Sequence, residues 1–312
     1  MGEFDLIRRY FQRPAVAGVE VGVGDDCAVL VPTPGARWLV SSDMLVEGRH
    51  FLSTVDAARL GHKALAVNLS DLAACGATPR GFTLALALPR ADEAWLAGFS
   101  RGLLALADAH GCPLIGGDTT QGPLNICITV FGEAPPGQAL LRSGARVGDE
   151  IWVSGRLGDA RLALEVFRGT VALAGDGFEV VRAAMECPTP RVALGQALRG
   201  IATAAVDVSD GLLGDLGHIL SASGVGARVE VDALPRSAVL AAQPQALQRE
   251  CGLAGGDDYE LVFTAPRGAA LPDVGVALTR IGVIEADPGL RVVDARGTAV
   301  AHGLRSFDHF AA

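Results

Sequence analysis

The stretch from Thr203 to Leu216 reads TAAVDVSDGLLGDL and contains a complete transition from strand to helix. The apolar run before the serine predicts a strand over 203–208, and the leucines that follow begin a helical pattern over 211–223. Asp207 and Asp210 lie at the junction. Because α/β proteins bind ligands beyond the carboxyl ends of their strands, these two carboxylates indicate a ligand site.

The same alternation of strand and helix continues through the second half of the chain. Strands are predicted over 150–154, 203–208, 227–231 and 259–264, and helices over 158–169, 190–199 and 211–223. Gly-rich turns separate these elements and account for much of the 40 glycines. The pattern is typical of an α/β or α+β fold.

The first half of the chain mixes the same elements. A helix is predicted over 56–75 from apolar residues at helical spacing, and a second helix from about Asp92 to His110. Strands are predicted over 38–42, 82–88, 113–115 and 124–131, the first of them ending in polar residues. Because Pro135-Pro136-Gly137 resembles a linker, we expect an N-terminal domain over 1–140 and a C-terminal domain over 141–312.

Aspartates recur beside glycine or serine, mostly after apolar, strand-like runs. They include Asp26, Asp43, Asp71, Asp118, Asp207, Asp210 and Asp257, of which Asp71 lies in a predicted helix. One such aspartate is usually a turn former or a helix N-cap, but six such segments in one chain exceed what turns require. Mg²⁺ prefers hard oxygen ligands and substrate phosphates, so the pattern indicates more than one Mg²⁺ together with a nucleotide triphosphate.

The glycine pair Gly116-Gly117 fits the same hypothesis, because glycine lets a phosphate approach backbone N–H groups closely. The usual nucleotide motifs are missing from the sequence: it contains neither a P-loop nor a dinucleotide fingerprint, and no protein-kinase set. If the protein uses ATP, it does so on a different architecture.

The bulk composition argues against several other functions. Net charge is −9 and basic residues form no block, so nucleic acid is not an expected partner. The chain contains no apolar run approaching the roughly 18 residues of a membrane span. Its first residues include acids and do not resemble a signal peptide. We therefore expect a cytoplasmic protein with no membrane partner.

Two short motifs occur twice. Asn68-Leu69-Ser70-Asp71-Leu72 is similar to 207–212, and Gly116-Gly117-Asp118 is similar to 255–257. Either the matches arise by chance or the two halves have a related build.

The ordered set of motifs resembles the thiamine-monophosphate kinase family, of the ATP-binding superfamily that includes aminoimidazole-ribonucleotide synthetase and selenophosphate synthetase. The resemblance is carried by GEF at 2–4, GDD at 24–26, ALAVNLSDLAACG at 64–76, GGDTT at 116–120, RSGA at 142–145, DVSDGLLGDL at 207–216 and GGDDYEL at 255–261. The number and order of these blocks along nearly the whole chain argue against chance.

The resemblance implies a role for each matching residue. Metal binding falls to Asp26, Asp43, Asp71, Asp118, Asp207 and Asp210, with Ser41 and Ser42 beside the metal. ATP contacts fall to Gly117, Asp118, Arg142 and Ser209, and substrate contacts to His50, Asp257 and Phe307. Arg142 and Asp210 are the expected catalytic residues. The family often has Glu where this chain has Asp257, and the aromatic at 307 varies.

The resemblance also implies a fold, a reaction and partners. The fold is a two-domain, synthetase-like α/β structure in which strands of the N-terminal domain join those of a second subunit in a barrel, so a homodimer is expected. The reaction transfers a phosphoryl group directly from ATP to thiamine monophosphate, with Mg²⁺, giving thiamine diphosphate.

Alternatives remain at this level. The chain is compatible with another ATP-using enzyme of the same fold, such as an aminoimidazole-ribonucleotide synthetase or a hydrogenase-maturation protein. Selenophosphate synthetase would need a reactive Cys and Lys in its N-terminal segment, and these are missing here. A non-catalytic protein that binds divalent ions is a further alternative. For single residues, His50 is compatible with a packed histidine, Arg142 with a surface ion pair and Phe307 with a core anchor.

Overall fold

The computed structural model describes residues 2–14, 16–301 and 303–307, whose helices and strands are divided between two units. Unit 1 comprises residues 1–72 and 77–137, and unit 2 comprises residues 73–76 and 138–312. The domain limits inferred from the sequence, 1–140 and 141–312, stay a prediction.

Unit 1 is built around one four-stranded sheet. Its elements are α1 (Glu3–Tyr10), β1 (Val19–Val21), β2 (Val29–Leu30), β3 (Arg37–Val46), most of α2 (Ala57–Ala74), β4 (Thr78–Leu88), α3 (Glu93–Ala109), β5 (Leu114–Gln121) and β6 (Asn125–Ala134). The strand order is β3-β6-β4-β5, with β4 and β5 parallel and the other neighbours antiparallel. Strands β1 and β2 form a separate antiparallel pair.

One face of this sheet is buried, because alternate residues of its central strands are large and apolar. Phe82, Leu84 and Leu86 of β4 and Ile126 and Ile128 of β6 are all fully or almost fully buried. Residues of β3 on this face bond to α2, which places that helix over the buried face.

Helices α2 and α3 approach each other closely at two glycines. A Cβ at Gly61 would lie 2.1 Å from the carbonyl oxygen of Phe99, and one at Gly102 would lie 1.8 Å from that of Ala58. No side chain fits at either place without moving backbone, so glycine is required by the crossing itself.

Two strands of unit 1 are longer than the sequence predicted. Strand β3 was expected to end near Ser42 but continues to Val46, and β5 was expected over 113–115 but continues to Gln121. Asp43 and Asp118 therefore lie inside strands, and the expectation that they follow strand ends was wrong. Continuous pairing of β3 with β6 outweighs the poor strand propensity of Ser and Asp in β3. After one register shift at Phe82/Thr83, pairing with β4 does the same for the Gly and Asp residues of β5.

Unit 2 contains a six-stranded sheet and most of the helices. Its main elements are β7 (Glu150–Ser154), α4 (Asp159–Phe167), α5 (Gly177–Glu186), α6 (Val192–Ala197), β8 (Ala204–Asp207), α7 (Leu212–Ser223), β9 (Gly226–Glu230), α8 (Ala238–Ala241), α9 (Gln245–Ala254), β10 (Leu261–Ala265), β11 (Leu278–Glu285) and β12 (Gly289–Val293). The strand order is β12-β9-β11-β7-β10-β8, antiparallel except between β12 and β9.

The main core of unit 2 lies between this sheet and α7. Val206 of β8 and Val262 of β10 pack in one buried cluster with Leu212, Leu216 and Ile219 of α7. A second cluster joins α4 and α5 to α8 and α9, through Leu240 and Cys251. The predicted strand and helix around Asp207 are thus confirmed as β8 and α7.

The repeated motifs do not share a local structure. Gly116-Gly117-Asp118 lies within β5, whereas 255–257 forms an irregular segment after α9. Asn68 to Leu72 lies within α2, whereas 207–212 runs from a strand through a turn into a helix. The two matches therefore give no support to a related build of the two halves.

Among the described residues, no helix combines the length and the apolar character that a bilayer crossing requires.

The crossing of α2 and α3 leads to a stability prediction. Gly102→Ala should lower the free energy of unfolding by about 1–3 kcal/mol, because the new methyl group overlaps the Ala58 backbone. Denaturant unfolding measures the change. Arg101→Ala, at the exposed neighbouring position, is the control and should change it by less than about 0.5 kcal/mol. A stabilised Gly102→Ala, as helix propensity alone would give, would contradict the close crossing.

Candidate functional site

In unit 1, β3 and α2 bring three of the predicted metal-site residues together. The Ser41 hydroxyl donates a hydrogen bond to Oδ2 of Asp71. Asp43, two residues along β3, lies on the same face as Ser41, and its backbone N–H donates to Oδ1 of Asn68 at 3.1 Å. Asn68 is buried and donates from Nδ2 to the carbonyl oxygen of Ala64 at 3.0 Å, which fixes its orientation.

Ser42 lies on the opposite face of the sheet. Its hydroxyl donates to the carbonyl oxygen of Ile128 at 3.1 Å and lies 3.0 Å from Oγ1 of Thr129. Because neighbouring residues of a strand point to opposite faces, Ser42 does not join Ser41 and Asp43. Its role beside a metal stays a prediction.

Gly117 and Asp118 lie on β5, at the other edge of the sheet. Three strand spacings separate β5 from β3, roughly 14 Å, so Asp118 is not in the group formed by Asp43 and Asp71 of the same chain. Gly117 has φ 145°, and a Cβ there would lie 1.9 Å from the carbonyl oxygen of Leu84. Close contact with β4 is therefore one reason for this glycine, beside the phosphate contact that the resemblance implies.

Asp26 and His50 lie outside both strands. Asp26 is exposed, and its backbone N–H donates to Oδ1 of Asp25 at 2.8 Å. His50 is half-buried, and its Nδ1 accepts from the backbone N–H of Val46 at 3.0 Å. This bond holds the His50 ring at the end of β3.

In unit 2, the candidate site is the turn between β8 and α7. Asp207, which ends β8, is 5 % exposed. The carboxylate of Asp215, in the first turn of α7, accepts hydrogen bonds from the backbone N–H groups of Ser209, Asp210 and Gly211 at 3.1, 3.1 and 3.0 Å. Burial, together with the nearby charge of Asp210, raises the pKa of Asp215 to about 7, although these three bonds act in the opposite direction.

Two predicted substrate residues are bonded to the same turn. The backbone N–H of Asp257 donates to the carbonyl oxygen of Ser209 at 2.8 Å, and that of Phe307 donates to the carbonyl oxygen of Asp210 at 3.0 Å. The C-terminal segment thus folds back onto the turn. Phe307 is 50 % exposed, so it does not behave as a core anchor.

Asp257 has an unusual backbone conformation. Its φ is 65°, in the left-handed region, and Tyr259 two residues later has φ 50°. The Tyr259 hydroxyl donates to Oδ1 of Asp257 at 3.1 Å, which orients the carboxylate. Left-handed non-glycine residues concentrate at functional sites, so this segment is consistent with a binding role.

Arg142 lies at the surface of unit 2. Its carbonyl oxygen accepts from the Ser223 hydroxyl at 3.3 Å, and its side chain is exposed. Within the described part of the chain its guanidinium forms no ion pair, which argues against the surface ion pair considered above. Its catalytic role stays a prediction.

The described residues contain no group of three or more His, Cys, Asp or Glu side chains arranged to hold a metal ion by themselves. The donors are nevertheless of the right chemistry, since Asp43 and Asp71 in unit 1, and Asp207 and Asp210 in unit 2, all offer carboxylate oxygens. Mg²⁺ is typically held by one or two carboxylates, with phosphate and water oxygens completing its shell. The residues present therefore fit Mg²⁺ that arrives with a nucleotide.

Sequence comparison identifies both parts of the chain. Residues 24–134 match the model of the AIR synthase related protein N-terminal domain, and residues 146–295 match that of the C-terminal domain. The chain is 48% identical over 322 residues to the thiamine-monophosphate kinase of Salmonella typhimurium, covering 99% of this chain and 98% of that relative.

Solved structures give the same result. A thiamine-monophosphate kinase from Stenotrophomonas maltophilia K279a superposes with a TM-score of 0.84 at 46% identity, covering 91% of this chain and 93% of that one. The structure of AaThiL complexed with AMPPCP and TMP superposes with a TM-score of 0.79 at 30% identity, covering 92% and 91%. The hydrogenase maturation protein HypE, in complex with ATP, reaches 0.77 at only 21% identity, which shows a shared fold alone.

The chain therefore belongs to the AIR synthase related proteins and, within them, to the thiamine-monophosphate kinase family. The predicted family, the two-domain α/β fold class and the kinase class are confirmed. The roles predicted for individual residues stay predictions.

Two residues that the sequence analysis missed support the candidate sites. The Asn68 side chain accepts the backbone N–H of Asp43, and the Asp215 carboxylate accepts backbone N–H groups of the turn from Ser209 to Gly211. A polar residue within the apolar run ALAVNL was a usable signal for Asn68. The second aspartate of DGLLGD, in the first turn of a predicted helix, was one for Asp215.

Asp215 gives the prediction for this site. Asp215→Ala should lower the free energy of unfolding by about 1–3 kcal/mol, because three backbone N–H groups lose a charged acceptor. Asp215→Asn, which keeps one acceptor oxygen, should lose less. His218→Ala, at an exposed position of the same helix, is the control for urea unfolding. Equal stabilities of all three variants would show that the turn does not need this carboxylate.

Proposed function

We propose that this protein transfers the γ-phosphoryl group of ATP to thiamine monophosphate, giving ADP and thiamine diphosphate. One observation carries the proposal. The carbonyl oxygens of Ser209 and Asp210, which are expected at the nucleotide and the metal, accept hydrogen bonds from the backbone N–H groups of the two predicted acceptor residues, Asp257 and Phe307. Full-length similarity to thiamine-monophosphate kinases supports the same reaction, as does similarity to AaThiL complexed with AMPPCP and TMP.

The acceptor needs no general base. A phosphate monoester has a second pKa of about 6, so its oxygens are already anionic near neutral pH. One of these oxygens forms a bond to the γ-phosphorus while the bond from that phosphorus to the bridging oxygen breaks, and ADP leaves with the electron pair. Catalysis then consists of aligning the two phosphates and offsetting their charge.

The charge is offset by groups of this chain and by Mg²⁺. Arg142, whose side chain is exposed, would bind oxygens of the transferred group. Asp43 and Asp71 in unit 1, and Asp207 and Asp210 in unit 2, would hold Mg²⁺, and we propose more than one ion. When bound, Mg²⁺ neutralises phosphate charge and keeps the triphosphate in one conformation.

The acceptor would be held by its ring and its phosphate. Thiamine is a flat cation, and the half-exposed Phe307 offers an aromatic face worth roughly 0.5–2 kcal/mol in stacking and cation–π attraction. Asp257, oriented by Tyr259, offers a carboxylate to a polar edge of the ligand. His50, at the end of β3 in unit 1, stays a predicted substrate residue.

We also propose that the protein works in the cytoplasm as a homodimer. Trp38, Val40 and Met44 of β3 lie on one face of the unit 1 sheet and are 42, 58 and 53 % exposed. A second copy would cover this apolar strip. The strongly apolar strands β4 and β6 are central in this sheet, and its edges are β3 and β5.

A product assay tests the reaction. With ATP, Mg²⁺ and a panel of phosphorylated acceptors, ADP release should depend on thiamine monophosphate, and Asp210→Asn should abolish it. The Asp210→Asn variant should melt no lower than wild type, because Asp210 sits beside the buried Asp215 and its charge is unfavourable there.

Asp273→Asn is the matched control, since Asp273 is an exposed aspartate of the same unit and should tolerate the change. Full activity of Asp210→Asn at ordinary Mg²⁺ would rule out the metal role of Asp210. Release of ADP with a different acceptor only would rule out the proposed substrate.

The homodimer has its own test. Analytical ultracentrifugation at micromolar concentration should give about twice the chain mass, and Val40→Glu should shift the protein toward monomer because it places a charge in the apolar strip. Val31→Glu, at an exposed position outside the sheet, is the control. A stable wild-type monomer would overturn the proposal.

A further inference from the structure

The segment before Phe307 is clamped to the start of α7 by one serine. The Ser306 hydroxyl donates to the carbonyl oxygen of Gly211 at 3.2 Å and accepts from the backbone N–H of Gly214 at 2.7 Å. With the bond from the Phe307 N–H to the Asp210 carbonyl, three hydrogen bonds join two consecutive tail residues to residues 210–214.

Gly214 is the place where the tail lies directly on the helix. A Cβ at this position would lie 2.8 Å from both Cβ and Oγ of Ser306, a distance that real Cβ atoms do not tolerate. Gly217, one turn later in the same helix, has no atom within 4 Å of its would-be Cβ apart from the adjoining backbone of the helix itself. The two glycines differ therefore in what they contact and not in their helical surroundings.

We propose that Ser306 and Gly214 are positioning residues for the acceptor, because they fix the tail so that the Phe307 ring is held beside the Ser209–Asp210 turn. The inference rests on the proposed function. Half of the Phe307 side chain is exposed, so burial alone does not hold the ring. Backbone and hydroxyl hydrogen bonds fix the main chain of its segment on the turn.

The clamp bonds to carbonyl oxygens of the turn and not to the backbone N–H groups of Ser209, Asp210 and Gly211. Asp215 holds the backbone N–H groups of Ser209, Asp210 and Gly211 from within α7. A displaced tail removes partners from the Asp210 and Gly211 carbonyls but leaves those three bonds in place. Loss of the clamp should therefore weaken binding of the acceptor while ATP binding is retained.

A matched pair of glycine substitutions tests this in the full-length enzyme. Gly214→Ala should raise KM for thiamine monophosphate about threefold to tenfold and leave KM for ATP within about twofold, as expected when one stacking contact is lost. Gly217→Ala should change neither constant. The melting temperature of Gly217→Ala should not fall, because alanine favours the helix. That of Gly214→Ala should change little, because the gain in helix propensity offsets the loss of the tail's hydrogen bonds. Phe307→Ala, the reference for loss of the ring, should show the same division between the two constants.

Two further measurements distinguish loss of the clamp itself from the weaker acceptor binding that should follow from it. Ser306→Ala removes both hydroxyl bonds and should shift KM for thiamine monophosphate in the same direction as Gly214→Ala. Hydrogen–deuterium exchange of the Phe307 amide should become faster in Gly214→Ala than in Gly217→Ala, since the tail no longer lies on the Asp210 carbonyl.

The outcomes distinguish the inference from the function on which it rests. Wild-type enzyme that fails to turn over thiamine monophosphate overturns the proposed function and, with it, the acceptor role of the clamp. Active wild type with identical KM values in Gly214→Ala and Gly217→Ala overturns the inference alone. Equal rises in both KM values for Gly214→Ala also overturn it, because they indicate a general distortion of the turn.

Discussion

The candidate site of unit 2 depends on one buried carboxylate that binds three consecutive backbone N–H groups. A buried charge is costly unless it is hydrogen-bonded, and the N–H groups of Ser209, Asp210 and Gly211 meet that requirement for Asp215. The carbonyl oxygens of the same turn are bonded as well. Those of Ser209 and Asp210 accept from the backbone N–H groups of Asp257 and Phe307. The peptides of the turn are thus fixed from both sides, and the direction of the Asp210 side chain follows from them.

In unit 1, the side-chain amide of Asn68 fixes the backbone of a candidate site residue, as the carboxylate of Asp215 does in unit 2. Asn68 is buried in α2 and carries the Asp43 N–H, while its own N–H is bonded one turn back along the helix at Ala64. Asp71, on the same helix, accepts from Ser41 on the strand. In both units, acids expected at phosphate or metal are held by a neighbouring helix, so helix packing sets the geometry of the polar groups.

The elements with strong local signals were predictable from the sequence. Helices α2 and α3 have sustained apolar periodicity, and Asp92 caps α3 by accepting from the Trp95 N–H at 3.1 Å. The transition from β8 to α7 was predictable for the same reason. The lengths of β3 and β5 were not, because their polar residues are held in strands by pairing with distant neighbours. Asp215 and the tail contact were missed because their importance depends on partners that only the fold supplies, in the tail's case across almost a hundred residues of chain.

The links from the turn to Asp257 and Phe307 are made by main-chain atoms. Main-chain hydrogen bonds do not depend on which side chain a residue carries, so position 307 can exchange its side chain while the framework stays the same. Position 257 is more restricted, because its φ of 65° favours residues such as Asp and Asn that tolerate the left-handed region. This architecture would let the residue at 307, a proposed acceptor contact, change in evolution without a loss of stability in the turn that is proposed to bind the nucleotide.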